Sequence, residues 1–195
     1  MAWMKWLYDW VLHWAQTPYG VPALAVLAFA ESSFFPVPPD VLLIALALGA
    51  PQRALYVAAV SSVFSVLGGI GGYLIGWLIW EEVNGFFFTY VFSQNLFNHV
   101  ATLYQDNAFW AVFTAGFTPI PYKVFTIAGG VFQIDFWQFL IASACSRSAR
   151  FFLVAGLIRL FGPPIKQFID RYFNLLSFVF LALLLGGFAV IRWML

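Results

Sequence analysis

Apolar residues occupy this chain in stretches of two lengths, and the shorter ones come in pairs. Residues 20 to 35 and 41 to 50 form one pair of helix-length runs, and residues 108 to 118 and 123 to 134 form another. A ten-residue helix reaches only ~15 Å, about half the ~30 Å hydrocarbon thickness of a bilayer. Each pair is therefore expected to enter and leave the membrane on one side, as re-entrant hairpins over 20–50 and 108–134. Each hairpin is followed by a stretch long enough to span, 54–80 after the first and 136–161 after the second. Residues 81–107 are polar at both ends and rich in phenylalanine between them, which predicts helices lying in an interface. Gly162-Pro163-Pro164 ends the second span. Residues 163–195 then supply an amphipathic linker with Lys166, Asp170 and Arg171, and a last span from Phe173 to Met194.

The pairs break at the same short word. Pro36-Val37-Pro38-Pro39-Asp40 in the first half and Pro119-Ile120-Pro121-Tyr122-Lys123 in the second both read P-x-P-x-charge, with opposite charge signs. In lipid, a proline-interrupted helix is tolerated only where its freed backbone groups are buried in protein or line a cavity. The prolines Pro36, Pro38, Pro39, Pro119 and Pro121 are thus the expected hairpin breaks. Paired broken segments in corresponding halves of a chain point to a transporter's binding site.

Composition fixes the broad class. Of the residues, 63% are hydrophobic and 9% charged. That leaves too few polar side chains to cover a water-soluble globule. The chain's many Phe, Trp and Tyr residues suit the membrane–water interface. Residues 1–17 mix Lys5, Asp9 and His13 with Trp3, Trp6, Trp10 and Trp14. This is the pattern of an interfacial amphipathic helix rather than a cleavable signal. Gly68, Gly72 and Gly76 stand four apart on the first span, beside a row of Ser61, Ser65 and Gly69. Such rows let another helix approach closely, and Gly129 and Gly130 join them as packing positions. The lone Cys145 forms no intrachain disulfide.

Because a hairpin returns to its starting side, charges on the two faces can be summed. One face collects Lys5, Arg53, Arg159, Lys166 and Arg171, and the other Glu81, Glu82, Asp106, Asp135 and Arg192. The positive-inside rule makes the first face cytoplasmic and puts the carboxyl terminus on the periplasmic side. The second hairpin must then enter from the side opposite the first. The expected architecture is an all-α integral membrane protein, an inverted repeat of re-entrant helical hairpin plus transmembrane helix with an additional carboxyl-terminal transmembrane helix.

Five ionisable residues fall at membrane depth: Glu31, Asp40, Lys123, Arg147 and Arg150. Each costs roughly 2.5–3.5 kcal/mol at a helix centre on insertion scales, so they are expected to face one another, a cavity or water. Two readings follow. The acids Glu31 and Asp40 neutralise cations and hold the hairpins together, or Lys123, Arg147 and Arg150 gather on the phosphate of a lipid headgroup, which suits the planar guanidinium fork. Glu31 has a second role available, because its protonation would release a cationic partner and couple the cycle to a proton gradient.

The stretch Phe29-Ala30-Glu31-Ser32-Ser33-Phe34-Phe35 through Asp40, the glycines from Gly68 to Gly76, Gly116-Phe117-Thr118-Pro119-Ile120-Pro121-Tyr122-Lys123 and Ala128-Gly129-Gly130 together resemble the DedA family. Ser146-Arg147-Ser148-Ala149-Arg150-Phe151 is similar to its YqaA-like branch. The resemblance covers about residues 20 to 162. It implies two re-entrant hairpins in a bacterial inner membrane, a fold shared with eukaryotic lipid scramblases, and translocation of undecaprenyl phosphate or a phospholipid, driven by proton-motive force in some members. Glu31 and Asp40 match the family's essential acids. Its arginines around the second hairpin are replaced here by Gly116 and Lys123, and Arg147 and Arg150 stand as the substitute positive charge.

An enzyme is not expected. The chain lacks His-Glu-x-x-His and Gly-x-Ser-x-Gly, and its two histidines, His13 and His99, are isolated near interfaces. No cofactor and no metal is called for. A channel built on two half-helices is a rival, but five buried charges argue against a pore lined by backbone carbonyls; a structural membrane protein is another. The expected partners are membrane lipids with an anionic or phosphate headgroup and no nucleic acid, and a homodimer is compatible with the sequence.

Overall fold

A computed structural model describes residues 17, 19–90, 93–118 and 120–162. The expected helix over 1–17, the segment 163–195 and Pro119 therefore lie outside the described residues, apart from Thr17. The described chain is helical throughout: α1 Gly20–Ser33, α2 Asp40–Gly49, α3 Ala54–Tyr90, α4 Gln94–Asp106, α5 Ala108–Phe117, α6 Tyr122–Val131 and α7 Phe136–Phe161. A 3-10 turn, Pro51–Arg53, leads into α3. Two stretches are long and apolar enough to cross a bilayer, Pro51–Glu82 and Phe136–Phe161.

The helix ends are where the sequence places its breakers. α1 stops before the first proline word, and Pro39 sits immediately ahead of α2. α6 begins directly after Pro121, where a missing N–H costs nothing because the first helical N–H groups have no partner anyway. Asp135 caps α7 by accepting from the Gln138 N–H at 2.7 Å, which satisfies one of those orphan donors. Gly162, with φ +66 and ψ −152, ends the same helix in a positive-φ conformation open to glycine, which lacks a Cβ. One boundary differs from expectation. α3 does not stop at 80 but runs unbroken to Tyr90, since no proline interrupts 81–90 and the Asn84 side chain bonds the Glu81 carbonyl on the helix's own surface.

The packing crosses the two halves. α1 lies on α3 and α5 lies on α7, so the first helix of each pair rests on the long helix that follows it; α6 lies on α3 and α2 on α7, so the second helix rests on the long helix of the other half. Glycine makes the α3 crossing close. A Cβ on Gly68 would overlap the backbone of Phe29, one on Gly76 the backbone of Ile127, and one on Gly130 the backbone of Tyr73 and Trp77. The stripe of small residues thus serves α1 along one stretch and α6 along the next.

Two apolar cores result. Around the start of α3 and the end of α7, Leu24, Leu27, Leu42, Leu43, Val57, Phe151 and Ile158 are buried together. At the opposite end, Val112, Tyr122, Ile134, Phe139 and Ala142 form a second core with Tyr73, Tyr104 and Phe125 against it. Between the cores lies a buried polar layer of Ser32, Ser65, Thr126, Ser143, Ser146 and Arg147.

Candidate functional site

The polar layer is where the two helix breaks meet. Arg147, 3% exposed, projects from the middle of α7, and its guanidinium lies 4.9 Å from the centre of the Tyr122 ring and 4.7 Å from that of Phe151. Such stacking favours a desolvated cation. Its Nη2 donates to Glu31 Oε2 at 2.9 Å and its Nε to Ser65 Oγ at 2.6 Å. Ser65 Oγ also bonds Ser32 Oγ at 2.7 Å, and Ser32 in turn reaches Glu31. A charge in this position is tolerable because ring faces, a carboxylate and a hydroxyl replace its hydration.

One turn further along α7, Arg150 holds Asp40 with two parallel bonds, Nε to Oδ1 at 3.1 Å and Nη2 to Oδ2 at 2.9 Å. Its remaining nitrogen, Nη1, donates to the Thr118 carbonyl at 2.7 Å. This carbonyl stands at the end of α5, where acceptors lack helical partners. Asp40 is the first residue of α2, so its carboxylate also stands at the positive end of that helix dipole. A single guanidinium therefore ties the first break to the second.

Lys123 makes the reciprocal tie. From the start of α6 its Nζ donates to the Phe35 carbonyl at 3.1 Å, just beyond the end of α1. Beside it, Thr126 Oγ1 donates to the Ser32 carbonyl at 3.1 Å. Among the described residues the ion pairs are Glu31 with Arg147 and Asp40 with Arg150. Each acid has one arginine, so the net positive charge of the five buried groups rests on Lys123, which is half-buried.

The structure thus brings Glu31, Asp40, Arg147 and Arg150 together as two ion pairs and bonds Lys123 to the carbonyl of Phe35 in the first break, with Pro39 and Pro121 immediately ahead of α2 and α6. Asp40 opens α2 and Lys123 is the second residue of α6, so the two words match in place with a one-residue offset. The glycines Gly68, Gly76, Gly129 and Gly130 serve helix contacts, and Gly72 lies against Thr126 and the Ser32 carbonyl of the polar layer. Sequence reasoning misses the supporting side chains. Ser65 reads as one of a row of small packing residues, yet it orients Arg147; Thr126 does not stand out, and Ser32, Tyr122 and Phe151 enter only as members of the family-like motifs. Tyr122 stands inside the second proline word, and an arginine in an apolar span needs such partners, so a signal is present.

Hydroxyl-to-carbonyl and amide-to-carbonyl bonds fasten the far end. Tyr73 donates to Ile134, Tyr104 to Phe125 at 2.8 Å, and Gln105 to Phe132 at 2.8 Å. Burial pushes the Tyr104 hydroxyl above the ordinary tyrosine range, so it stays a donor. Among the described residues no group of His, Cys, Asp and Glu is arranged to hold a metal.

Comparison with known proteins places this arrangement among relatives. The VTT domain matches residues 37–160. An uncharacterized protein of Haemophilus influenzae is 39% identical over 151 residues, covering 77% of this chain and 78% of the relative. An uncharacterized homologue from Histophilus somni is 34% identical over 168 residues, covering 84% and 87%. No solved structure matches the chain.

Proposed function

This chain belongs to the VTT-domain family, the DedA family, and is a membrane protein; from that premise we propose that it moves a phosphate-bearing lipid across the bacterial inner membrane. The observation that carries the proposal is the charge of Lys123, which meets no acid among the described residues and stands between the two broken helices. A cation at membrane depth without an acid is costly in lipid, and a lipid phosphate supplies the missing negative charge. Undecaprenyl phosphate and phospholipids both carry such a group.

In this reading the two helix pairs are re-entrant hairpins of an inverted repeat, entering from opposite sides. The arginines exchange partners during the cycle. While Glu31 and Asp40 are ionised, Arg147 and Arg150 are occupied by them. Protonation of either acid frees its arginine for the phosphate, and Lys123, Arg147 and Arg150 together then hold the headgroup. Proton entry from the periplasm would drive the cycle in one direction; without that coupling, the same device works as a scramblase. The cross-over packing of the halves supports the repeat. The segregation of Arg53 and Arg159 from Glu81, Glu82, Asp106 and Asp135 supports an orientation with the amino terminus cytoplasmic and the carboxyl terminus periplasmic. The reading assigns transport and not catalysis, and needs no cofactor.

Proteoliposomes with labelled undecaprenyl phosphate, phosphatidylglycerol or diacylglycerol, with and without a pH gradient, test it. Faster translocation of the phosphate-bearing lipids than of diacylglycerol is expected. A Glu31→Gln, Arg147→Gln protein that folds and transports at the full rate would leave the pair a structural role alone. Equal rates for all three lipids would overturn phosphate recognition. Cysteines at Gln52 and Gln94 in a Cys145→Ser background should label from opposite sides with an impermeant maleimide; labelling from one side would defeat the inverted repeat.

A further inference from the structure

The two ion pairs match in charge and differ in construction. Arg150 meets Asp40 as a fork, with Nε on Oδ1 and Nη2 on Oδ2, so both carboxylate oxygens are taken. Arg147 meets Glu31 end-on. Its Nη2 and the Ser32 hydroxyl both donate to Oε2, and Oε1 accepts from no described residue. Access does not separate the two acids, since their side chains are 13% and 15% exposed.

Their places on the helices differ in the same direction. Asp40 is the first residue of α2, at the positive end of that helix dipole, and Glu31 lies in the last turn of α1, at the negative end. A carboxylate is stabilised at a helix N-terminus and opposed at a C-terminus. Fork and dipole thus both favour the carboxylate of Asp40. Glu31 has one oxygen open and a dipole against its charge.

Arg147 also has contacts that do not depend on the acid. The rings of Tyr122 and Phe151 lie on its guanidinium, and Ser65 Oγ accepts from its Nε. All three are neutral groups holding a cation, so they outlast the neutralisation of Glu31. Arg150 has no ring over it among the described residues, and apart from Asp40 its acceptors are the carbonyls of Phe117 and Thr118. Around Glu31, α7 places Arg147 and Arg150, α6 places Tyr122, and α3 places the neutral hydroxyl of Ser65, which reaches the acid through Ser32. Asp40 of α2 is bound to Arg150, and Lys123 of α6 turns to the Phe35 carbonyl.

From this asymmetry we infer that Glu31, and not Asp40, is the acid that takes the proton opening the cycle. The proton comes from water and adds to the open Oε1; the carboxylate becomes a neutral acid and Arg147 stays a guanidinium. Arg147 is then an unpaired cation, held by its two rings and by Ser65 and ready for an anion. Arg150 meanwhile keeps the two helix breaks tied through Asp40 and the Thr118 carbonyl. This deepens the proposed function and rests on it only for the identity of that anion, a lipid phosphate.

Dicyclohexylcarbodiimide distinguishes the two acids in the full chain, placed in phosphatidylcholine vesicles. It enters apolar surroundings and modifies a carboxyl group only in the protonated form: the acid's proton passes to a carbodiimide nitrogen as the carboxyl oxygen bonds the central carbon, and the acyl group then moves to nitrogen as a stable N-acylurea. Adducts on the fragments holding Glu31 and Asp40 are read by mass spectrometry from about pH 8 down to about pH 5, with Glu31→Gln identifying the Glu31 product. The Glu31 adduct is expected to grow as pH falls and to exceed the Asp40 adduct roughly tenfold, the worth of one charge-assisted hydrogen bond. Equal modification, preference for Asp40, no Glu31 adduct in that range, or Glu31 reactivity independent of pH would overturn the assignment. Labelling needs no translocation, so selective reaction of Glu31 in a protein that moves no lipid would uphold the assignment and overturn the transport reading instead.

Discussion

In the first helix pair, α1 and α2, both tip acids are taken by arginines of α7, and the surrounding core is aliphatic. The second pair, α5 and α6, presents no acid at its tip. Its tip is fastened by cations that donate to backbone carbonyls, Lys123 to Phe35 and Arg150 to Thr118, and its far end by neutral donors to carbonyls in an aromatic core. The contrast teaches where the molecule has freedom to move charge. Removing one partner of an ion pair buried in a membrane protein orphans a charge at high cost, whereas losing a hydroxyl-to-carbonyl bond orphans none. The tips are thus sensitive to the loss of a charge, and the far end of the second pair is not. Arg150 belongs to both tips, since it grips Asp40 and the Thr118 carbonyl together.

The sharpest way to break the contrast is Arg150→Leu, which leaves Asp40 unpaired and the Thr118 carbonyl without its donor. It should cost about 3–5 kcal/mol, the usual penalty for orphaning a buried charge. Unfolding in detergent would read this, and combining it with Asp40→Asn should recover most of the loss. A double variant as unstable as the single one would show that the ion pair is not what holds the first tip.

The next effect is steric. Gly130→Ala drives a methyl into the backbone of Tyr73 and Trp77, while Gly129→Ala meets only movable side chains of Ile134 and Tyr73. Overpacking of the first kind costs about 1–3 kcal/mol, so the two melting temperatures should separate clearly. Coinciding values would mean that α3 and α6 are not in backbone contact.

Smaller still is Tyr104→Phe, which removes one neutral bond to the Phe125 carbonyl. The net worth of such a bond is about 1 kcal/mol, and the variant should lose that much stability. The Glu31 and Asp40 ion pairs should stay intact, so the pH dependence of unfolding should match the parent protein. A changed pH dependence would show that the far end is not fastened independently of the charged tips.

Much of this was legible in the sequence, for physical reasons. Proline words and a ten-residue reach set the ends of α1, α2, α5 and α6 to within a few residues, and five charges in apolar stretches announced that they must meet. Which acid meets which arginine was not legible, because it depends on how α7 is rotated against α1 and α2. The extension of α3 to Tyr90 was also hidden. Glu81 and Glu82 look like the end of a span, but a helix can leave the hydrocarbon without stopping. Ser65 escapes notice because a serine in a small-residue row reads as packing until an arginine is seen to reach it.

Lys123 gives the most direct test of lipid-phosphate recognition. Translocation of labelled phosphatidylglycerol and undecaprenyl phosphate would be compared in proteoliposomes for the parent chain, Lys123→Gln and Lys123→Arg, each first shown to melt near the parent temperature. The account predicts at least a tenfold loss for Lys123→Gln and substantial retention for Lys123→Arg, because a cation is what the phosphate requires there. Undiminished translocation by a folded Lys123→Gln protein would contradict it.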